Sequence, residues 1–379
     1  MWKPKTMRFR TVLVGSVAAG SLLLAGCGGA AGGGTSVANL PKSAAEAGGL
    51  DVLVKKAKEE GELSLYAATT EKATTAWIKQ FEQKYGIPVK LYRDGSTTLF
   101  QKWAQEVSGG VDNADIVIQN VYQLWQDAKT KGWITDYKTA NYDGYDFEKI
   151  LPGSGLAGAV YPLHQSIGAV AWNTKVTTPA QQELLRKDPV AMLADPSFKG
   201  QIALGDTGGA TTAGNYAGVI LHQADKYGWK WLEGVAANDP ALFESQIPIA
   251  EQLVKGEYAL TFGTDTLYND YIAKGAPIEY KYPDPTNAAL WMIGLPARTP
   301  HPNAARLFME WATSAEGHDL MATLGSGIGT RTGWADKREI AKQPWYAEPV
   351  IWYGMATEPE LQGKGFADFV TKVNAILNK

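Results

Sequence analysis

The residues in this chain best placed to do chemistry are small hydroxyls where helices should begin. Three loops stand out: Ala68-Thr69-Thr70, Gly95-Ser96-Thr97 and Gly208-Gly209-Ala210-Thr211-Thr212. Each offers hydroxyl and backbone N–H donors on small residues that let another molecule come close. Free N–H groups at a helix start favour negative charge, so the chemistry indicated is capture of a small anion. Ser and Thr at such positions also serve as plain helix caps, and Ser96 is open to either role. Two glycines with two threonines at 208–212 exceed what a cap needs. No Gly-Lys-Thr or Gly-Lys-Ser follows them, which excludes a P-loop.

Groups that would convert a bound molecule are not identifiable. The four histidines, at 164, 222, 301 and 318, lack metal-site spacing. Of these, His164 beside Gln165-Ser166 is the one to test. Gly-x-Ser-x-Gly is absent, so a serine hydrolase elbow is not supported. Gly325-Ser326-Gly327-Ile328-Gly329 follows a predicted helix rather than a strand and reads as a C-cap and turn. No block of Lys and Arg marks a nucleic-acid partner. The expectation is a binding protein, not an enzyme, with no cofactor and no resident metal.

The elements that must position the hydroxyls alternate in type. A helix is predicted over 43–60, a strand over 63–67, and a helix over 71–85 with Trp77, Ile78, Phe81 and Tyr85 at helical spacing. A strand over 88–92 leads into a helix carrying Leu99, Phe100, Trp103 and Val107, then a strand over 115–118. Further strands are predicted at 169–172, 201–205, 258–263 and 289–295. Helices are predicted after 212, up to 273, over 302–313, after a Ser314 cap, and over 365–378. Repeated β-loop-α units favour an α/β fold with a largely parallel sheet.

The amino end carries a different signal. Lys3, Lys5, Arg8 and Arg10 precede an uncharged run from Thr11 to Ala25, which leads to Leu22-Leu23-Leu24-Ala25-Gly26-Cys27. That is the layout of an export signal, too short for the roughly 20 apolar residues of a membrane span. Cys27 is the chain's only cysteine, so internal disulfides play no part. The segment resembles a bacterial lipoprotein signal, which implies cleavage before Cys27, a palmitate-type lipid on its thiol, and a protein held at the membrane in the periplasm or on the outer surface. Loss of the four cations takes the formal charge from −3 to −7. Residues 28–42 are Gly-rich and read as a tether.

The stretches 61–67 (GELSLYA), 81–89 (FEQKYGIPV), 114–117 (ADIV), 198–202 (FKGQI), 255–260 (KGEYAL), 302–308 (PNAARLF) and 314–317 (SAEG) resemble the extracellular solute-binding proteins of bacterial ABC importers. They are most similar to the group that takes ferric iron, phosphonates, thiamine or polyamines. The resemblance covers roughly residues 50–335. It implies a two-lobed periplasmic-binding-protein type 2 fold with crossing strands, a monomer that closes over one solute and delivers it to an ABC permease. The implied division is a signal peptide at 1–26, a tether at 27–42, a first lobe at 43–160 and a second at 161–286. The chain would return to the first lobe at 287–338, and C-terminal helices at 339–379 would pack on the second.

In that group the solute meets loops at strand ends and helix starts. The resemblance then implies a site of Thr69, Thr70, Ser96, Asn120, Gly209, Ala210, Thr211, Thr212, Thr264 and Asp265, with Trp172 and Trp291 as stacking candidates. Iron-binding members place an adjacent Tyr pair where this chain has Thr266-Leu267, a His near Thr70 and an acidic ligand near Asn120. Ferric iron wants hard anionic oxygens or phenolates, which this set does not supply. The site suits a small anionic or zwitterionic solute such as a phosphonate or phosphate ester. Asp265 could meet a ligand ammonium or only cap its helix; the two tryptophans could equally be hinge or core packing. A ferric-iron protein of the same fold is the alternative. A lipid-anchored hydrolase, or a sensor or adhesion component, is the alternative of another class.

Overall fold

Amphipathic spacing sets the helices, and glycines end them. The helix Glu71–Tyr85 turns Trp77, Ile78 and Phe81 inward and stops at Gly86, whose φ of 71° is left-handed. The fold is that of a computed structural model, which describes residues 35–36, 41–207, 210–244, 246–353, 358–361 and 363–378. The expected export signal, Cys27 and Gly209 lie outside the described residues.

Among the described residues the strands run in this order: β1 Thr35–Ser36, β2 Leu63–Ala67, β3 Val89–Arg93, β4 Ile116–Gln119, β5 Val160–Asn173, β6 Ile202–Gly205 and β7 Ala241–Phe243. Then come β8 Leu260–Thr264, β9 Ile278–Lys281, β10 Thr286–Gly294, β11 Arg298–Thr299, β12 Ile328–Gly329 and β13 Ile351–Trp352. β2 pairs in parallel with β3 and β4, and β6 pairs in parallel with β7 and β8. Two long antiparallel strands join these sets. β5 pairs with β10 over its first half and with β8 over its second. The far end of β10 pairs with β4.

Each parallel set has its own core. Trp77, Phe81, Trp103, Trp125 and Phe308 fill the first. Phe198, Tyr216, Trp231 and Phe262 fill the second, with Phe369 and Val373 of the C-terminal helix Lys364–Leu377. β5 and β10 therefore connect two lobes.

Several expectations needed revision. Residues 43–49 are turns, and the first helix is only Leu50–Glu60. β5 is fourteen residues long, not four. All fourteen are buried, so alternation is absent, and Pro162, His164 and Gln165 conceal the strand from a hydrophobicity reading. Trp172 is corrected from ligand candidate to core. It sits six residues beyond Ser166 on the same strand face, about 20 Å along at the usual rise. There it is 1 % exposed among second-lobe residues.

One glycine requirement bears on the cleft. A Cβ at Gly214, in the helix Ala210–Ala217, would stand 2.7 Å from Asn287 Nδ2 of β10. The absent side chain lets this helix sit against the joining strand.

Candidate functional site

Four helices present their first turns to one cavity between the lobes. They are Glu71–Tyr85, Ala210–Ala217, Gln246–Lys255 and Asp265–Ile272. The central cavity measures about 340 Å³, and its wall includes Thr70, Asn120, Ser166, Thr211, Thr212, Thr266 and Trp291. Sequence-distant hydroxyls meet here because parallel β-α units place every strand end and helix start on one side.

Thr70 is the N-cap of its helix, yet its side chain makes no capping bond and is exposed to the cleft. Thr69 faces inward, with Oγ1 2.6 Å from Thr74 Oγ1. It braces the loop while lining a side arm of the cleft. Ser96 is the first residue of the helix Ser96–Ser108, and Gly95 takes the N-cap position. Its Oγ donates to Asn120 Oδ1 at 2.7 Å. Asn120 is thereby turned so that its Nδ2 group is the donor left for a solute.

On the second lobe Thr212 Oγ1 accepts from Gln246 Nε2 at 2.6 Å. Thr211 lines the cleft beside it. Ala210 opens this helix. Thr264 is the N-cap of Asp265–Ile272 without a side-chain capping bond, and it also lines the cavity.

Asp265 is corrected. It is fully buried, and its carboxylate accepts from Ile167 N at 2.8 Å, Thr266 N at 2.8 Å and Tyr282 Oη at 3.0 Å. Arg338 Nη1 lies 3.6 Å away. Burial raises its pKa, against the pull of that guanidinium. Fully buried behind Thr264 and Thr266, Asp265 ties a helix start to β5 and does not line the cavity.

The sequence reading missed Ser166, Thr266 and Gln246 as site residues. Ser166 Oγ accepts from Trp291 Nε1 at 3.2 Å and from Thr266 Oγ1 at 3.3 Å, so its own hydroxyl proton is free to donate. Its only sequence signal was the polar Gln165-Ser166 pair inside an apolar stretch. Trp291 stacks on His164 with ring centroids 5.9 Å apart and 18° between planes. Burial pushes the His164 pKa down to about 3, so the imidazole under Trp291 is neutral. Gly325 and Gly327 close over its other side. The Gly325-Ser326 turn follows the helix Ala315–Leu324, as predicted, and borders the side arm of the cleft.

No Lys or Arg lines the central cavity among the described residues; Asp206 and Glu244 stand on its second-lobe lip. Negative charge in the centre would be held by hydroxyls, amides and helix ends. The two carboxylates suit a solute that also carries hydroxyl or ammonium donors. Among the described residues no cluster of three or more His, Cys, Asp and Glu is placed to hold a metal.

Two α/β lobes joined by β5 and β10, with helix starts converging between them, define a solute-binding protein of the periplasmic type. Residues 76–348 match the bacterial extracellular solute-binding protein family, and the chain belongs to it. An uncharacterized protein of Haemophilus influenzae is 25 % identical over 279 residues, spanning 72 % of this chain and 78 % of its own. Among solved structures, fructose-6-phosphate-bound AfuA of Actinobacillus pleuropneumoniae superposes with a TM-score of 0.65 at 21 % identity. That match covers 84 % of this chain and 99 % of AfuA. Iron-bound HitA of Pseudomonas aeruginosa gives 0.64 at 19 % identity over 84 % and 98 %. The likeness to these structures is one of fold.

Proposed function

We propose that this protein is the capture component of an ABC importer and that its solute is a small phosphorylated or phosphonate-bearing organic molecule, anionic or zwitterionic. The observation that carries the reading is the convergence of four helix N-termini, with Thr70, Asn120, Ser166, Thr211, Thr212 and Thr266, on a cavity with no cation in its wall among the described residues. Such donors hold a tetrahedral anion without a counter-charge. A solute bridging Thr70 and Asn120 of one lobe and Thr211 and Thr266 of the other favours the closed form, with β5 and β10 as the hinge. The match to the extracellular solute-binding family supports delivery of the solute to a membrane permease. The Leu-Ala-Gly-Cys27 segment supports lipid anchoring outside the cytoplasm.

Ferric iron is the competing reading, because proteins of this fold such as HitA are iron-bound. The residues here fit it poorly. Thr266-Leu267 stands where a phenolate pair would be needed, and Asp206 with Glu244 supplies only two hard anions to the cavity. A thermal-shift panel of phosphate monoesters, phosphonates, polyamines, thiamine and Fe(III) decides between them. Stabilisation by a phosphate ester or phosphonate is expected; stabilisation by Fe(III) alone overturns the reading.

A further inference from the structure

Asn120 and Thr211 face two compartments. One is the central cavity; the other is a chamber of about 120 Å³ that opens beyond them, between the lobes. The chamber differs in chemistry. Tyr122, Ile150, Leu290, Met292, Leu361 and Phe366 dominate its wall, and no charged side chain lines it among the described residues. The central cavity has Asp206 and Glu244, and the arm beside His164 has Asp270.

Three polar side chains at the chamber have partners, while Asn287 Oδ1 is buried without one. Tyr122 Oη lies 2.5 Å from Gln126 Nε2, Tyr353 Oη donates to Gln165 Oε1 at 3.1 Å, and Asn287 Nδ2 faces Asn215 Oδ1 at 3.3 Å. A charged group entering here would lose hydration and meet no side chain of opposite charge among the described residues. An apolar group would gain by leaving water. The volume is comparable to that of the roughly 150 Å³ apolar cavity known to take up benzene. The wall also draws on both lobes, because Ile150 belongs to the first core and Leu361 to the second. An occupant would therefore add to the contacts that favour closure.

We infer that this chamber receives an uncharged apolar part of the solute, a small ring or branched alkyl group, while the anionic end sits among the hydroxyls next door. The inference rests on the anion-binding reading above and narrows it. The solute class is an amphiphilic phosphate or phosphonate rather than the bare anion or a polyol phosphate.

The test uses the mature protein and three probes in isothermal titration: inorganic phosphate, glycerol 3-phosphate and phenyl phosphate. Phenyl phosphate is expected to bind at least tenfold tighter than the other two. Val121→Phe narrows the chamber and Phe366→Glu places a charge at it; both residues are half-buried. Each variant is expected to remove the phenyl phosphate advantage while inorganic phosphate binds as before, which also reports an intact fold. Glycerol 3-phosphate binding as tightly as phenyl phosphate, or an advantage that survives both variants, overturns the inference and leaves the anion site standing. Failure of all three probes to bind overturns the anion reading itself, and this inference with it.

Discussion

Trp291 donates from Nε1 to Ser166 Oγ at 3.2 Å, between the two antiparallel strands that cross from lobe to lobe. The bond fixes the indole that walls the cleft to a hydroxyl that faces the central cavity. It also places this part of the cavity wall on the strands that join the lobes, so on the proposed reading a change in solute contact would act there.

Ser166→Ala removes a donor whose oxygen already serves Trp291 and Thr266. Solute affinity is expected to fall by about 1–3 kcal/mol, the usual range for one buried polar partner lost. Calorimetric titration measures it, and an unchanged Kd would exclude Ser166 from the site.

The double change Thr211→Ala, Thr212→Ala separates binding from bracing. Loss of two donors is expected to weaken solute binding by about 1–3 kcal/mol. The bond from Gln246 to Thr212 also disappears, so a urea melt belongs beside the titration. A lower melting point with unchanged affinity would give these residues a structural role alone.

Asp265→Ala leaves Arg338, itself buried, without one of its two carboxylates. Uncompensated buried charge of this kind costs about 3–5 kcal/mol. Equilibrium urea unfolding should show that loss in the unliganded protein. In an Arg338→Met background the same change is expected to cost much less, and equal costs in both backgrounds would break the assigned pairing.

Acid should unfold the protein through its buried imidazoles. His164 is held down to about 3 by burial, and His318 to about 4, against 6.5 for an ordinary histidine. The unfolded chain binds those protons first. Their contribution to stability is thus complete above pH 6.5 and is lost as pH falls toward the folded values. For His164 alone, a drop to pH 4 removes about 3 kcal/mol. His164→Phe is expected to flatten the melting profile between pH 4 and 6.5; an unchanged slope would mean that the ring is protonated in the native state.

Cys27→Ser removes the thiol that would carry lipid. The variant is expected to leave the membrane fraction and appear free outside the cytoplasm, followed by immunoblotting of fractions. Membrane retention of the variant would rule out Cys27 as the attachment point.

Local pattern reached far into this molecule. Trp77, Ile78 and Phe81 announced the helix Glu71–Tyr85, and Ser314, expected as a cap, accepts from Gly317 N at 3.2 Å. Thr70, Thr211 and Thr212 were legible as site candidates because a hydroxyl before or within a first turn has a chemical meaning by itself. Ser166 was not legible. It lies mid-strand in a wholly buried segment where periodicity is silent, and its use comes from Trp291 and Thr266, 125 and 100 residues away.

The sequence by itself determined the alternation of strand and helix and the hydroxyls at the helix starts, because each depends on neighbours a few residues apart. Only the tertiary structure decided that Asp265 is a buried strut, that Trp172 is core and that an uncharged chamber adjoins the hydroxyls. Those outcomes depend on which side of a strand a residue occupies and how far along it lies when two lobes share that strand. Spacing along the chain does not encode that.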